Sequence, residues 1–283
     1  MNKAQFLAVF ALFLSGPALG PAFAAGGAGA GEPSGPSSQL QAALTLYAGG
    51  ITLGKMDLDA SLRGSDYRAV SNLHTSGVVN AFWQAEIQAT SSGKLAPKGL
   101  DPVLYDSFDI GRGGKKQEVS LSYEKGNPPR LYANPTYPTT DYAVKPDEQK
   151  NTLDPLSAVM FIVTGAGSDA ANPCALTAPV FDGRRRYNIE MAKVKDIDIK
   201  MDNGLYAGKG LLCRVKYNQL AGYKPNVIKK NEQFPIINAW VASFPSAVAR
   251  RSYVVPLKVW VDSSFGTIAA VADSLKIDGK TLK

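Results

Sequence analysis

Apolar and polar residues alternate with a period of two along most of the chain from Leu40 onward. Residues 56–62 (MDLDASL) and 196–202 (DIDIKMD) show the alternation most clearly. Successive side chains of a strand point to opposite faces, so the pattern predicts a sheet with one buried face and one wet face. Antiparallel sheets tolerate a wet face, and Asn203-Gly204 between two such runs is typical of a hairpin turn. The sequence therefore predicts a mostly β protein.

The same alternation predicts about ten or eleven strands, which suits a sandwich or a barrel. The predicted strands are 41–48, 51–63, 66–75, 79–90, 103–111, 117–124, 185–194, 196–202, 206–218, 252–262 and 266–277.

One short amphipathic helix interrupts this pattern at residues 152–164. Thr152 or Asp154 is its candidate N-cap, and Pro155 suits the first helical position. The preceding residues 126–151 are rich in proline and predict a long surface excursion, of the kind that is often functional or disordered.

The N-terminus has the pattern of a secretory signal peptide over residues 1–24: a lysine, an apolar run and an Ala22-Phe23-Ala24 cleavage site. An uncleaved anchor is the alternative, although the apolar run is short for a membrane span. Residues 25–39 predict a flexible Gly/Ala/Pro/Ser leader, and 40–283 a single domain. We therefore expect an exported protein, periplasmic in a Gram-negative bacterium, with no transmembrane segment after cleavage.

The chain has two cysteines and one histidine, which exclude a zinc finger, a cluster on four thiolates and a disulfide-dense miniprotein. In an oxidising compartment, Cys174 and Cys213 are expected to form a structural disulfide. A redox-active pair or a nucleophilic thiol is the alternative, but the C-x-x-C spacing of catalytic dithiols is missing.

Candidate catalytic residues are few. His74 is the one side chain that could act as the base of a Ser-His-Asp triad, yet no G-x-S-x-G motif accompanies it, so a surface role is expected. The acidic pairs at 57/59 and 196/198 lie on polar strand faces, where solvation is the expected role. We predict no catalytic residues, no metal site and no cofactor, and that the protein is not an enzyme.

Arg184, Arg185 and Arg186 form the sharpest charge cluster of a chain whose net charge is +7. Arginines hold phosphate and carboxylate groups through paired hydrogen bonds, so the cluster could bind an anionic headgroup. The alternative is that the arginines brace the turn, with Asp182 as partner. The other basic residues are scattered, so nucleic acid is not an expected partner.

Several segments together resemble domain-of-unknown-function family 3108, a group of exported proteobacterial proteins. They are GGITLGKMDLDASL (49–62), SSGKLAPKGLDPVLY (91–105), DPLSAVMFIV (154–163), FDGRRRY (181–187) and YAGKGLLCRVKYNQLAGY (206–223). The resemblance covers about residues 40–280 and implies a single large curved antiparallel sheet that forms an open or incomplete barrel. Such a sheet is similar in outline to the lipoprotein-carrier fold and to envelope-integrity proteins with a β-spiral fold.

The resemblance places the helix in or across the mouth of this half-barrel. It assigns Asp182, Gly183 and the three arginines, with Tyr187, to the matching family segment, and it agrees with a bridge between the two cysteines. Because of the arginine cluster, Asp182, Arg184, Arg185, Arg186 and Tyr187 are the candidate ligand-binding residues.

Two functions are expected from this fold and compartment. The first is a non-enzymatic periplasmic protein that binds a lipid or another hydrophobic envelope component. The second is an envelope scaffold that binds a protein partner through the 126–151 excursion. A hydrolase is a third and weaker alternative. An apolar void of several hundred Å³ inside the barrel would favour the carrier, and a filled interior the scaffold.

Overall fold

The computed structural model describes residues 36–76, 85–97, 99–225, 235–263 and 266–282. The predicted signal peptide and the predicted leader up to residue 35 lie outside these residues, and so does the first part of the strand predicted at 79–90. None of the helices in the described ranges is long and apolar enough to cross a membrane.

The described residues form fourteen strands, two short α-helices and one 3-10 turn. The strands are β1 (Ser38–Ala48), β2 (Ile51–Arg63), β3 (Asp66–Thr75), β4 (Glu86–Ala96), β5 (Gly99–Gly111), β6 (Lys115–Ser122), β7 (Arg130–Asn134), β8 (Leu176–Phe181), β9 (Arg186–Lys200), β10 (Ala207–Ala221), β11 (Ile237–Ser246), β12 (Arg251–Ser263), β13 (Gly266–Ile277) and β14 (Lys280–Thr281). The helices are α1 (Pro146–Gln149) and α2 (Pro155–Val163), and the 3-10 turn is Arg112–Gly114.

All strands belong to one antiparallel sheet of order β7-β6-β5-β4-β3-β2-β1-β13-β12-β11-β10-β9-β8, with β14 beside β13. The first strand therefore pairs with β13 in the middle of the sheet, and two meanders run outward from this seam to the edges β7 and β8. The sheet does not close into a barrel. The prediction of one large, open antiparallel sheet is confirmed.

The connection from β7 to β8 carries the chain from one edge of the sheet to the other, and it contains both helices. The two meanders, β1–β7 and β8–β13, form the two wings of the sheet. Helix α2 packs on β3, β4 and β5 in the first wing and on β8 and β12 in the second. Its position across the concave face agrees with what the resemblance implied.

Strand β2 illustrates why the alternation produces this core. Met56, Leu58 and Leu62 are buried on the concave side, whereas Asp59 is exposed. The same alternation continues in β3 and β12, and the buried side chains form one apolar core between the sheet and α2.

The structure corrects three details of the prediction. Strands β7, β8, β11 and β14 were not predicted. Residues predicted as two strands, 185–194 and 196–202, form the single strand β9, because a bulge opposite Leu212 and Cys213 absorbs one extra residue. Helix α1 lies in the 126–151 excursion, which was predicted without structure of its own.

Candidate functional site

Helix α2 begins where the sequence provides an N-cap and a proline. The Asp154 carboxylate accepts a hydrogen bond from the Ser157 N–H at 2.7 Å, and Pro155 occupies the first helical position. Such a cap satisfies an N–H that has no partner inside the helix. Of the two candidate caps, Asp154 and not Thr152 is therefore used.

An apolar cleft lies between α2 and the concave face of the sheet. Its wall consists of residues from β1, β2 and β9–β12, and every lining residue is apolar. Val159 and Ile162, the two half-buried residues of α2, face the wall together with Val163. The cleft therefore combines a hydrophobic lining with partial access for solvent.

The volume of this cleft is about 90 Å³. This is well below the several hundred Å³ expected of an empty barrel, and also below the roughly 300 Å³ at which drug-sized sites begin. Helix α2 and large buried side chains such as Tyr105, Tyr187 and Phe181 fill the remaining interior. The half-barrel is thus mostly packed, with one residual apolar cleft.

A buried polar cluster ties the start of α2 to the sheet. Ser91 on β4 donates to Asp154 at 3.1 Å and contacts the Ser157 hydroxyl at 2.8 Å. The Tyr67 hydroxyl on β3 lies 2.7 Å from the same Ser157 oxygen, and the Ser157 hydroxyl also donates to Asp154. All four side chains are almost inaccessible to solvent, so no substrate can reach them.

The charge state of this cluster depends on Asp154. Complete burial raises the pKa of the Asp154 carboxyl to about 6, although the hydrogen bonds from Ser157 and Ser91 act in the opposite direction. Burial, followed by the nearby Asp154 charge, raises the pKa of Tyr67 well above its ordinary value. The cluster was not predicted, because it joins residues from β3, β4 and α2 that are distant in the sequence.

The segment Asp182–Tyr187 comprises the turn between β8 and β9 and the first two residues of β9. Asp182 is buried and accepts the N–H groups of Arg184 and Arg185 at 2.9 and 2.6 Å. Burial raises the pKa of Asp182, while the Arg185 charge acts to lower it. Asp182 therefore braces the turn, and Tyr187 is fully buried in the core.

The three arginines of this segment point to different partners. The guanidinium of Arg184 lies 5.5 Å from the ring of Tyr137, and that of Arg185 lies 5.6 Å from the ring of Tyr223. Arg186 donates to the Tyr187 carbonyl at 2.6 Å and to the side chain of Asn188. Of the three, Arg184 is exposed and Arg185 and Arg186 are half-buried. Anion binding by this segment stays a prediction, with Arg184 as its accessible member.

Two glycines allow close packing around the turn: Gly183 within it and Gly222 beside it. Gly183 lies with φ +89° against Val119 and Leu121 of the opposite wing, close enough that a Cβ would reach 3.0 Å from Val119. Gly222 packs on the backbone of Arg184 and Arg185 with φ +84°. The turn is therefore a contact between the two wings of the open sheet.

The predicted disulfide is present. Cys174 and Cys213 are bonded, both are fully buried, and their Cα atoms are 6.1 Å apart. The bond fixes the loop after α2 to β10. Disulfides persist in oxidising compartments, so this bond agrees with an exported protein.

The other candidate residues lie apart from the cleft. His74 is exposed on β3, with Lys55 and Glu86 opposite it on the neighbouring strands. Asp196 and Asp198 form exposed ion pairs with Lys193 and Lys209. In the described part of the chain, no three His, Cys, Asp or Glu side chains are grouped so that they could hold a metal.

Comparison with known proteins defines the family and the fold. No curated protein matches the chain. Among solved structures, it is similar to a β-barrel-like protein of domain of unknown function DUF1849 from Brucella abortus, with 12% identity, a TM-score of 0.50, and coverage of 85% of this chain and 97% of that one. At this identity the likeness concerns the fold alone. A family model matches residues 43–273, and the chain therefore belongs to the family described as protein of unknown function DUF3108.

Proposed function

We propose that this protein is an exported, non-enzymatic binding protein of the periplasm that takes the hydrocarbon part of a lipid, or another hydrophobic envelope component. The observation that carries the proposal is the cleft between α2 and the sheet, which is lined only by apolar side chains and yet is partly open. Transfer of hydrocarbon from water into such a surface is favourable in proportion to the buried area.

The cleft is too small to hold a hydrocarbon chain without some displacement of its walls. Its volume of about 90 Å³ is smaller than a cavity of roughly 150 Å³ that admits benzene. A hydrocarbon chain can therefore enter only when Val159 and Ile162 move away from the wall. These two residues are the half-buried members of α2, so their displacement disturbs the core less than that of Met160 or Leu156.

Native mass spectrometry of the purified full chain, followed by lipid extraction, tests this proposal. We expect a co-purifying lipid or fatty acid in the wild-type protein, and retention of a fluorescent fatty acid after delipidation. Val159→Phe should fill the cleft and reduce retention of the probe at least about tenfold, which corresponds to about 1.4 kcal/mol.

Val194→Phe is the matched control, because it makes the same change at an exposed position of β9 away from the cleft. Val159→Ala enlarges the cleft and should preserve or increase retention, which guards against loss of folding in the phenylalanine variant. Absence of both co-purified lipid and probe binding in the wild-type protein would refute the proposal.

A second candidate function, an envelope scaffold that binds a protein partner, is favoured by the filled interior and by the edge of the 126–151 excursion. Strand β7 pairs only with β6 in the described sheet, and its Leu131 and Tyr132 are exposed. The opposite edge differs, because Leu153 pairs with β8 through two backbone hydrogen bonds. A free strand edge can accept an extended segment of another chain.

Proline variants test the scaffold function. Neighbouring N–H groups of β7 point alternately to β6 and to the open side. Of the variants Tyr132→Pro and Ala133→Pro, one therefore removes an N–H that bonds to β6 and the other removes an N–H on the open side. We expect the variant that keeps wild-type stability to lose cross-linked envelope partners. An unchanged set of partners in that variant would exclude β7 as the binding edge.

A further inference from the structure

A groove of about 340 Å³ lies across β3 to β7 on the face of the sheet opposite the core. Strand pairing brings Thr90, Asp106, Ser120 and Tyr132 into one row, and Gln88, Phe108 and Glu118 into the next. The volume lies within the range of about 300–1,000 Å³ that is typical of small-molecule sites. The groove is thus larger than the apolar cleft and on the other side of the sheet.

Four polar side chains of the groove have few partners within the protein. Asn72, Gln88 and Asp106 make no side-chain hydrogen bond or ion pair with any residue in the described ranges, and Glu118 accepts only one long hydrogen bond, from Asn134 at 3.4 Å. Two amides and two carboxylates together offer both donors and acceptors, and all four groups are planar. Their hydrogen-bonding capacity remains available to a ligand.

Two aromatic side chains lie among these polar groups. Tyr132 is 57% exposed at the β7 end, and Phe108 is half-buried in the second row. An exposed aromatic ring provides a flat apolar surface beside its polar neighbours. The groove therefore offers apolar stacking and hydrogen bonding to the same ligand.

The charge of the groove disfavours anionic ligands. The chain carries a net charge of +7, yet no lysine or arginine lines the groove, whereas Asp106 and Glu118 do. Two carboxylates without an ionic partner repel phosphates and other carboxylates. The lining selects a ligand that is neutral or cationic.

We propose that this groove binds a carbohydrate chain built from neutral or amino-substituted pyranose units. A pyranose ring presents hydroxyl groups at its edge, which both donate and accept, and C–H groups on its faces, which stack on aromatic rings. The amides, carboxylates and aromatic rings of the groove match both parts of such a ring. The site is separate from the apolar cleft and does not depend on the lipid-binding proposal.

Isothermal titration calorimetry with the full purified chain tests the proposal. The probes are the tetramer of N-acetylglucosamine, cellotetraose and the anionic tetragalacturonate. We expect at least one neutral tetramer to bind and tetragalacturonate to bind more weakly. Tyr132→Ala should weaken binding at least about tenfold through loss of the stacking surface, and Gln88→Leu should weaken it through loss of the amide.

Leu131→Ala is the matched control, since Leu131 is the neighbouring residue of β7, is similarly exposed, and points to the other face. It should leave the affinity unchanged, and so should Val194→Phe, a change at an exposed position of β9 away from the groove. The proposal is overturned if neither neutral tetramer binds, if tetragalacturonate binds best, or if Leu131→Ala weakens binding as much as Tyr132→Ala. The last result would assign the effect to the β7 edge and not to the groove.

Discussion

Replacement of Asp154 by asparagine should make the protein more stable at neutral pH. Asparagine is as good an N-cap as aspartate, and its amide can donate to the hydroxyls of Ser157 and Ser91 that now donate to the carboxylate. The variant therefore keeps the cap and removes only the buried charge. This separates the cost of the charge from the benefit of the hydrogen bonds.

The expected magnitude follows from the pKa. Burial carries the pKa of Asp154 from 3.8 to about 6, which corresponds to about 3 kcal/mol. Between these values the folded protein binds a proton that the unfolded chain does not. The contribution of Asp154 to the unfolding free energy therefore falls as the pH rises from about 4 to about 6, and it stays low at neutral pH.

Urea unfolding of the oxidised protein at several pH values between 4 and 7 measures this effect, with the intrinsic tryptophan fluorescence as the signal. We expect wild type and Asp154→Asn to be equally stable near pH 4, and the variant to be more stable by up to about 3 kcal/mol at pH 7. Asp154→Ala is the control, because it removes the charge and also the cap, at a cost of about 1–3 kcal/mol relative to asparagine at every pH.

Two results would refute the reasoning. If Asp154→Asn kept the wild-type dependence on pH, another group would be the source of that dependence. If the variant were less stable than wild type at pH 7, the carboxylate would be a net stabilising group in spite of its burial. Asp182 also has a raised pKa, but it is present in all three proteins and does not affect their differences.

Three further predictions concern the disulfide and the turn. Replacing Cys174 and Cys213 by serine opens a loop with a sequence separation of 39 and should lower the unfolding free energy by about 4 kcal/mol. The wild-type protein in reducing agent should lose the same stability, and an unchanged urea midpoint would contradict the prediction. Gly222→Ala places a Cβ against the backbone of the Asp182–Arg185 turn at φ +84° and should cost more than about 1 kcal/mol in the same assay, whereas equal stability would show that the turn can move. Arg185→Met removes the cation that lowers the pKa of buried Asp182. Because the ionised carboxylate then lacks this cation, the loss of stability should be larger at pH 7 than at pH 5. A loss independent of pH would assign the effect to packing on Tyr223.

The sequence predicts those parts of the fold that have a local signal. Alternation identifies β2 and β12 because their concave faces are buried and their outer faces are wet. It misses β7, whose Leu131 and Tyr132 are both exposed, and β8, where Ala178, Val180 and Phe181 are buried and Pro179 interrupts the pattern. Both strands lie at the edges of the sheet, where the surroundings and not the alternation decide the burial.

The functional features also divide into those with a local signal in the sequence and those without one. The disulfide and the N-cap of α2 could be predicted from the residues themselves and their neighbours in the chain. The buried cluster of Tyr67, Ser91, Asp154 and Ser157 and the outer groove could not, because each arises where distant strands come together. The arginine cluster was prominent in the sequence, but in the structure Arg185 packs on the ring of Tyr223 and Arg186 bonds to its neighbours in β9.

The pairing of β1 with β13 has a consequence for how the protein reaches its native state. Leu40 lies opposite Ile277, so the central seam joins the beginning and the end of the domain. A chain emerging from its N-terminus can assemble the meander from β1 to β7 early, but β1 keeps an open edge until the last strands arrive. Such long-range pairing slows folding, and exposed interior edges favour aggregation. We therefore expect the partly emerged chain to be the species most prone to aggregation, and a truncation before β13 to be more harmful than its length suggests.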